Sequence, residues 1–430
     1  MTINKSILLA ESVEIQDELI ELAGGGRDEV IGQAEAPDIV PELHENALYG
    51  LAGSIVKDID PYCEADPKAT LLHALIGFGN MVGDASYALV GAERHSAKMS
   101  AVLVGPTAAG RKGSAWRPIK AIFQRADSEW IENRVKSGLS SGEGIIYHLR
   151  DADGDDSGVD DKRLLAIEPE FGSTLKIMSR EGNSLSGVVR QAWDDGNLST
   201  LTKNAPLKAT GTHFSLIGHT TSQELLRFLD GTERANGFAN RLLWFMVRRS
   251  KFLPDGDPIP AAIIDSLADR VADAAAWAKG GRYLKRDPMA AELWRRVYSK
   301  LEAERPGMSG AILSRGAAQT LRLSLVYALF DKSPVIRTEH LKAALALWDV
   351  SERSVLSIFG DRTGDPVADR ILDTVRAKGE MTRDEILTLF HRHNPGGIGR
   401  ALELLEKFGR IRKEMRPTAG RPVTVYCPAT

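Results

Sequence analysis

The sequence has little cysteine. Cys63 and Cys427 stand far apart in the chain, which excludes a disulfide framework and a four-ligand zinc site. Both read as small apolar fillers. Long hydrophobic runs are also absent: the longest near the middle, Leu242 to Val247, falls far short of the roughly 20 residues a bilayer helix needs. There is no low-complexity tract and no repeat of fixed period. An excess of charge of one sign is lacking too, since 55 Lys and Arg face 58 Asp and Glu, net −3. That balance excludes a uniformly basic nucleic-acid coat but leaves room for a local patch. The opening MTINKSILLAESVEIQDEL turns acidic after one short apolar patch, unlike a secretory signal, so the expectation is a cytoplasmic chain without a membrane partner.

What is present is ordinary in bulk and uneven in detail. Hydrophobic residues at 43% and charged ones at 26% fit a soluble globular chain, and 430 residues predict about three domains. Residues 1–47 hold two basic residues against eleven acidic ones, net −9, and residues 407–421 hold six against one, net +5. An acidic head and a basic tail point to nucleic acid at the tail, or to two solvated surfaces.

The pattern divides the chain into an acidic helical N-terminal region (1–95), an α/β core (96–260), a helical lid (261–360) and a C-terminal unit (365–430). Asp66 before Pro67 marks a helix start, with Leu71, Leu75, Phe78 and Val82 on one face. Gly77 and Gly79 weaken that helix by about 1 kcal/mol each relative to Ala. Helical spacing continues to about residue 92. SAVLVG (100–105), RLLAIE (163–168), HFSLIGHT (213–220) and RLLWFMV (241–247) read as buried strands. Helical stretches near 116–136, 141–150, 172–180 and 221–230 lie between them, so the sheet should be mainly parallel and covered on both faces. After Pro254–Pro260 only helices are expected, over 261–279, 288–304, 311–330 and 338–359, the last capped by Thr338. The C-terminal unit then reads helix, helix, helix, hairpin, with Thr382 and Glu385 as a capping box, the plan of a winged helix-turn-helix.

The richest loop is GPTAAGRKGS, Gly105 to Ser114. A strand entering a Gly-rich turn that opens a helix aims backbone N–H groups and the helix dipole at one point, where a phosphate fits. Gly105 and Gly110 keep the P-loop spacing, but Arg111 precedes Lys112 and Gly113 separates Lys112 from Ser114. Lys112 is then expected on the phosphates of ATP and Ser114 on Mg²⁺; the alternative is a Gly-rich loop without ligand. RLLAIEPEF ends a strand in acid, with Glu168 expected on the metal side and Glu170 polarising water. The alternative is that both acids cap the strand end. His219, at the end of the third strand, is read as a γ-phosphate sensor or as a structural histidine.

Arg241 stands before the last strand, where an arginine finger would reach a neighbouring subunit, or where a surface cluster would lie. Arg315 opens a lid helix, as a second sensor or a simple cap. Lys203 and Lys208, in a polar segment between strands, are the candidate backbone contacts to DNA. On the tail the candidates are Arg410, Arg412, Lys413, Arg416 and Arg421. Glu403 and Glu406 on the third helix argue that the wing, rather than that helix, meets the duplex.

The order of these pieces resembles an AAA+ ATPase, and the tail-end layout is similar to the minichromosome-maintenance helicases. There the finger segment would correspond to ANRLL with Arg241, and the second sensor to Arg315. More closely, ALYGLAGSIV, GPTAAGRKGS, RLLAIEPEF, SREGNSLSGVVRQAWDDG, LTKNAPLKATGTH and NGFANRLLWFMVRRSK resemble a bacterial and phage family of unknown function labelled primase/helicase-like, over roughly 45–255. The resemblance implies an α/β P-loop NTPase core of AAA+ type with a helical N-terminal region, helical lid and winged helix. It further implies an ATP- and Mg²⁺-dependent, ring-forming DNA motor of a mobile element or phage, a homo-oligomer such as a hexamer, with a primase as replication partner. The alternative is a DNA-binding replication or regulatory protein that holds nucleotide without turning it over. A monomeric P-loop kinase fits less well, because it explains neither the lid and winged helix nor Arg241.

Overall fold

The carboxylate of Asp66 accepts from Lys68 N at 3.0 Å and starts the helix Pro67–Val82 where the sequence places its cap. In the computed structural model this helix is buried on every side rather than on one face. The structure describes residues 40–430 apart from 107–111, 201–205, 230–236, 306, 361, 364, 391–394, 418–421 and 430. The helix reading of residues 1–39 therefore lies outside the described residues.

The helix ends at Gly83 (φ 74°), earlier than the periodicity predicts, and a hairpin of β1 (Tyr87–Val90) and β2 (Glu93–Ser96) takes residues expected to be helical. The central strands are β3 (Ala101–Val104), β4 (Val135–Lys136), β5 (Arg163–Glu168), β8 (His213–Thr220) and β9 (Leu243–Met246). A small antiparallel pair, β6 (Leu198–Ser199) with β7 (Lys208–Ala209), lies between the third and fourth of them. The five central strands are parallel in the order β4-β5-β8-β3-β9. Every residue of β3, β8 and β9 is buried, and alternate residues point to opposite faces, so both faces are covered. β4 was not legible: two residues closing the loop of a helical stretch carry no period.

Helices supply the cover. Pro67–Val82 lies on β5 and β8, Leu185–Asp194 and Phe171–Met178 on β8, and Thr338–Phe359 on β9. Ala261–Lys279 packs along Lys112–Ala126. One apolar core runs without a break from Ala47 to Phe359, across the boundaries at 95 and 260. The helices after residue 260 are thus part of the same core as the sheet, and Phe78 stacks on Phe330 with ring centroids 3.7 Å apart.

The predicted helix 311–330 is two helices, Gly307–Leu313 and Gly316–Phe330, broken at Ser314 and Arg315. Strands also persist beyond residue 260, as β10 (Lys285–Arg286) pairs parallel with β11 (Val335–Ile336). Thr338 does not cap its helix. It is the first helical residue, and His340 Nδ1 accepts from Arg337 N at 3.0 Å instead.

Residues 366–428 build a second core of their own. Helices Pro366–Lys378, Arg383–Leu389 and Pro395–Lys407 pack with an antiparallel sheet ordered β12 (Met381–Thr382), β14 (Val423–Pro428), β13 (Ile411–Arg416). The Thr382–Glu385 capping box is present as predicted. No helix among the described residues is long and apolar enough to cross a membrane.

Candidate functional site

The parallel sheet sends the ends of β3, β5 and β8 to one edge. β8 sits between the other two, so the loop after β3 and the acids after β5 flank the polar end of β8. Gly105 N donates to Thr220 O at 3.1 Å, and a Cβ on Gly105 would meet Val247 O at 2.4 Å. Only glycine lets the chain leave β3 this close to its neighbours. The helix Lys112–Ala126 then begins at the lysine, whose Nζ donates to Gly105 O at 2.6 Å and Pro106 O at 3.0 Å. Burial lowers the Lys112 ammonium, while the carboxylates of Glu224 and then Glu170 act against it. Gly113 is exposed and Ser114 half-buried on the same turn; Gly110 and Arg111 lie outside the described residues.

The two acids after β5 differ in kind. Glu168 is buried, and its Oε1 accepts from Gly138 N at 2.6 Å and Leu139 N at 3.0 Å. Its Oε2 accepts from Thr174 Oγ1 at 3.1 Å, so the carboxylate pins the loop after β4 to the sheet edge. Glu170 is exposed, precedes the helix Phe171–Met178 and makes no side-chain cap to it.

A third acid, Glu224, was not found from sequence. Its Oε2 accepts from Thr220 Oγ1 and Thr221 Oγ1 at 3.2 Å and from Thr221 N at 3.3 Å. The signal was present as the capping box T-x-x-E at 221–224, which reads as a helix start. Only the fold brings it to Lys112.

His219 is also occupied. A carbonyl can only accept, so His73 Nδ1 donates to Ala69 O at 2.7 Å and leaves Nε2 to accept from His219 Nε2 at 3.2 Å. Burial holds both rings neutral, pushing His73 down to about 4 and His219 to about 2. His73, on the fully buried helix, gave no sequence signal.

Arg241 and Arg315 gather at the other edge of the sheet. Arg241 Nη2 and Nε bind Asp194 at 2.6 and 3.2 Å, and its Nη1 donates to Gly237 O at 2.6 Å. Arg315 Nε donates to Asn240 Oδ1 at 3.1 Å and its guanidinium lies 4.8 Å from the Trp193 ring centre. Beneath both lies Arg322, 3.5 Å from the same ring centre and bonded to Lys98 O at 3.0 Å and Trp193 O at 3.1 Å. Burial lowers Arg322 to about 9. Lys98 precedes β3 and Gly105 follows it, and seven residues of near-extended chain span roughly 20 Å. Arg315 therefore lies with Arg241 and Asp194 at the opposite end of β3 from Gly105.

Among the candidate nucleic-acid contacts, Lys208 is exposed in β7, and Lys203 and Arg421 lie outside the described residues. Lys413 is exposed on β13 and Arg410 half-buried before it. Arg412 pairs with Glu414 at 3.1 Å, and Arg416 grips Glu380 through two bonds of 2.8 and 2.6 Å. No group of three or more His, Cys, Asp or Glu able to hold a metal is found among the described residues. No protein family and no curated protein matches the chain.

Proposed function

We propose that the chain is an ATP-dependent, ring-forming DNA motor, a helicase or helicase loader of a phage or mobile element, working in the cytoplasm beside a primase. The observation that carries this reading is the strand order, because β8 between β3 and β5 gathers Lys112, Glu170 and Glu224 at the end of a Gly-rich loop. Anion binding at such a loop draws on its N–H groups and the helix start, with Lys112 leaving its carbonyl partners for the phosphates. The donor set suits Mg²⁺: Ser114 on the first turn with Glu224 offers hard oxygen ligands, while Glu168 has its oxygens engaged and serves as an anchor. When bound, Mg²⁺ would neutralise charge on the phosphates. Glu170, exposed and uncommitted, orients the attacking water.

Arg241 is read as the finger for a neighbour's nucleotide: it lies at the opposite end of the strands from Lys112, would have to leave Asp194 to act, and in that role calls for a homo-oligomer such as a hexamer. The C-terminal unit reads as a winged helix that holds DNA through Lys413 and its neighbours. ATP hydrolysis by wild type and by Lys112→Ala, with and without DNA, tests the reading; equal rates overturn it. Light scattering with and without ATP tests the ring.

The second reading, a nucleotide-binding DNA protein without turnover, is favoured by the saturated Glu168 and by Lys112 turned onto its own loop. Tight ATP binding without phosphate release would select it.

A further inference from the structure

The segment 279–300 carries seven basic residues against two acidic ones, Asp287 and Glu292, net +5. That equals the wing segment, and the whole-chain balance hides it. Both acids are committed: Asp287 caps the helix Pro288–Leu301 through Ala290 N at 2.7 Å, and Glu292 faces Arg296 at 3.8 Å. Lys279 is held by Asp127 at 2.9 Å. Arg282, Lys285, Arg286, Arg295 and Lys300 have no carboxylate within ion-pair distance among the described residues. On the wing, by contrast, Arg412 and Arg416 are neutralised by Glu414 and Glu380. Binding to phosphates by counterion release needs cations that are not already paired, and this segment holds five of them.

Aromatic rings are interleaved with these cations. Tyr87 N donates to Arg282 O at 2.8 Å and Leu284 N to Tyr87 O at 2.9 Å, so residues 282–284 extend the β1–β2 hairpin and run on into β10. Along this ribbon the Arg94 guanidinium lies 4.0 Å from the Tyr87 ring centre. Tyr87 stacks on Tyr283 at 5.6 Å and 18°, and Lys285 Nζ lies 5.3 Å from the Tyr283 ring centre. Tyr283 remains 44% exposed, and Tyr298, one helix on, 42%. A row of this kind at the surface offers both things a splayed strand of nucleic acid needs, a π face for the base and a cation for the phosphate beside it. A duplex hides its bases in the stack and could use only the cations.

We propose that this ribbon, with the helix Pro288–Leu301, is a binding surface for single-stranded nucleic acid. Tyr283 is the stacking platform, and Arg282, Lys285, Arg295 and Lys300 contact phosphates. The inference shares with the proposed function the premise that the chain works on nucleic acid, but it does not depend on ATP turnover.

The test is fluorescence anisotropy of the full chain, without nucleotide, on a labelled 20-nucleotide single-stranded DNA and on the matching duplex, from 50 to 200 mM salt. The single strand is expected to bind more tightly than the duplex. Tyr283→Ala should weaken it about tenfold and Tyr283→Trp should restore it. The triple variant Lys285→Ala, Arg295→Ala, Lys300→Ala should lower the salt slope by about 2. Tyr283→Trp keeps a ring against Tyr87, so a loss caused by unfolding of the hairpin is separated from a loss of stacking. Unchanged binding in Tyr283→Ala and the triple variant, or no binding by wild type, overturns the inference. So does competition by a polyglutamate peptide as strong as that by unlabelled DNA. ATP hydrolysis measured on the same variants without DNA should stay at the wild-type rate. A chain that binds the strand through Tyr283 yet hydrolyses no ATP sinks the motor and leaves this surface standing.

Discussion

Arg241 and Asp194 form a two-pronged ion pair, 2.6 and 3.2 Å long, at the opposite edge of the sheet from Lys112. The pair holds an almost buried guanidinium in place within its own chain, beside Trp193. If Arg241 serves a neighbour's nucleotide, a ring needs Lys112 from one subunit and Arg241 from the next.

On that reading, mixing should rescue. Lys112→Ala and Arg241→Ala, each expected to be inactive alone, should regain ATP turnover when mixed and reassembled, because some interfaces then carry both intact residues. Arg241→Ala alone should lose about 10³-fold in rate while still binding ATP. A mixture as inactive as its parts would place both residues at one site.

The acids after β5 should separate stability from turnover. Glu168→Ala strands two backbone N–H groups and a hydroxyl, which costs about 1–3 kcal/mol in urea unfolding. Glu170 is exposed, so Glu170→Gln should shift unfolding by less than about 0.5 kcal/mol. Its ATP turnover should fall about 10²-fold or more with ATP binding retained.

Acid should weaken the fold well before the carboxylates titrate. His73 and His219 stay neutral in the folded chain down to about 4 and about 2, whereas in the unfolded chain they bind protons below about 6.5. The unfolded state then holds more protons, so stability is full above that value and falls as pH drops toward 4. The slope is about 1.4 kcal/mol per pH unit for each histidine. Urea unfolding at pH 7, 6 and 5 measures it, and a His73→Gln variant should show a shallower fall.

Gly77 carries a packing role that its helix propensity conceals. A Cβ there would come within 2.4 Å of Phe123 Cε2, so Gly77→Ala gains about 1 kcal/mol of propensity and loses about 1–3 kcal/mol to overpacking. The variant should unfold at lower urea. Gly77→Ala with Phe123→Leu should recover part of the loss, as expected for residues in contact.

Much of the core was legible because its signals are local. β5 and β8 begin and end where the apolar runs do, and the helices Ala261–Lys279 and Thr338–Phe359 match their periods to the residue. Asp66 and the Thr382–Glu385 box mark helix starts by bonds spanning two or three residues. The hairpin 87–96 and β4 were not legible, since short strands are stabilised by partners distant in sequence. The candidate site was half legible: Lys112, Glu168 and Glu170 stand in motifs, whereas Glu224 wears the pattern of an ordinary cap.

The sequence by itself determined the covered parallel sheet, the Gly-rich turn after its first central strand and the acid end of β5, because period and turn chemistry act over a few residues. Tertiary structure alone decided which acid is anchored and which is free, that His219 answers to His73, and that Arg241 and Arg315 lie an edge away from Lys112. Those outcomes depend on strand order and on burial, and neither is a property of any short stretch of chain. The same holds for charge. Near-neutral by count, with two segments of net +5, the chain pairs Arg412 and Arg416 on the wing and, among the described residues, leaves Arg282, Lys285, Arg286, Arg295 and Lys300 without a carboxylate in reach, because only folding decides which carboxylates come close.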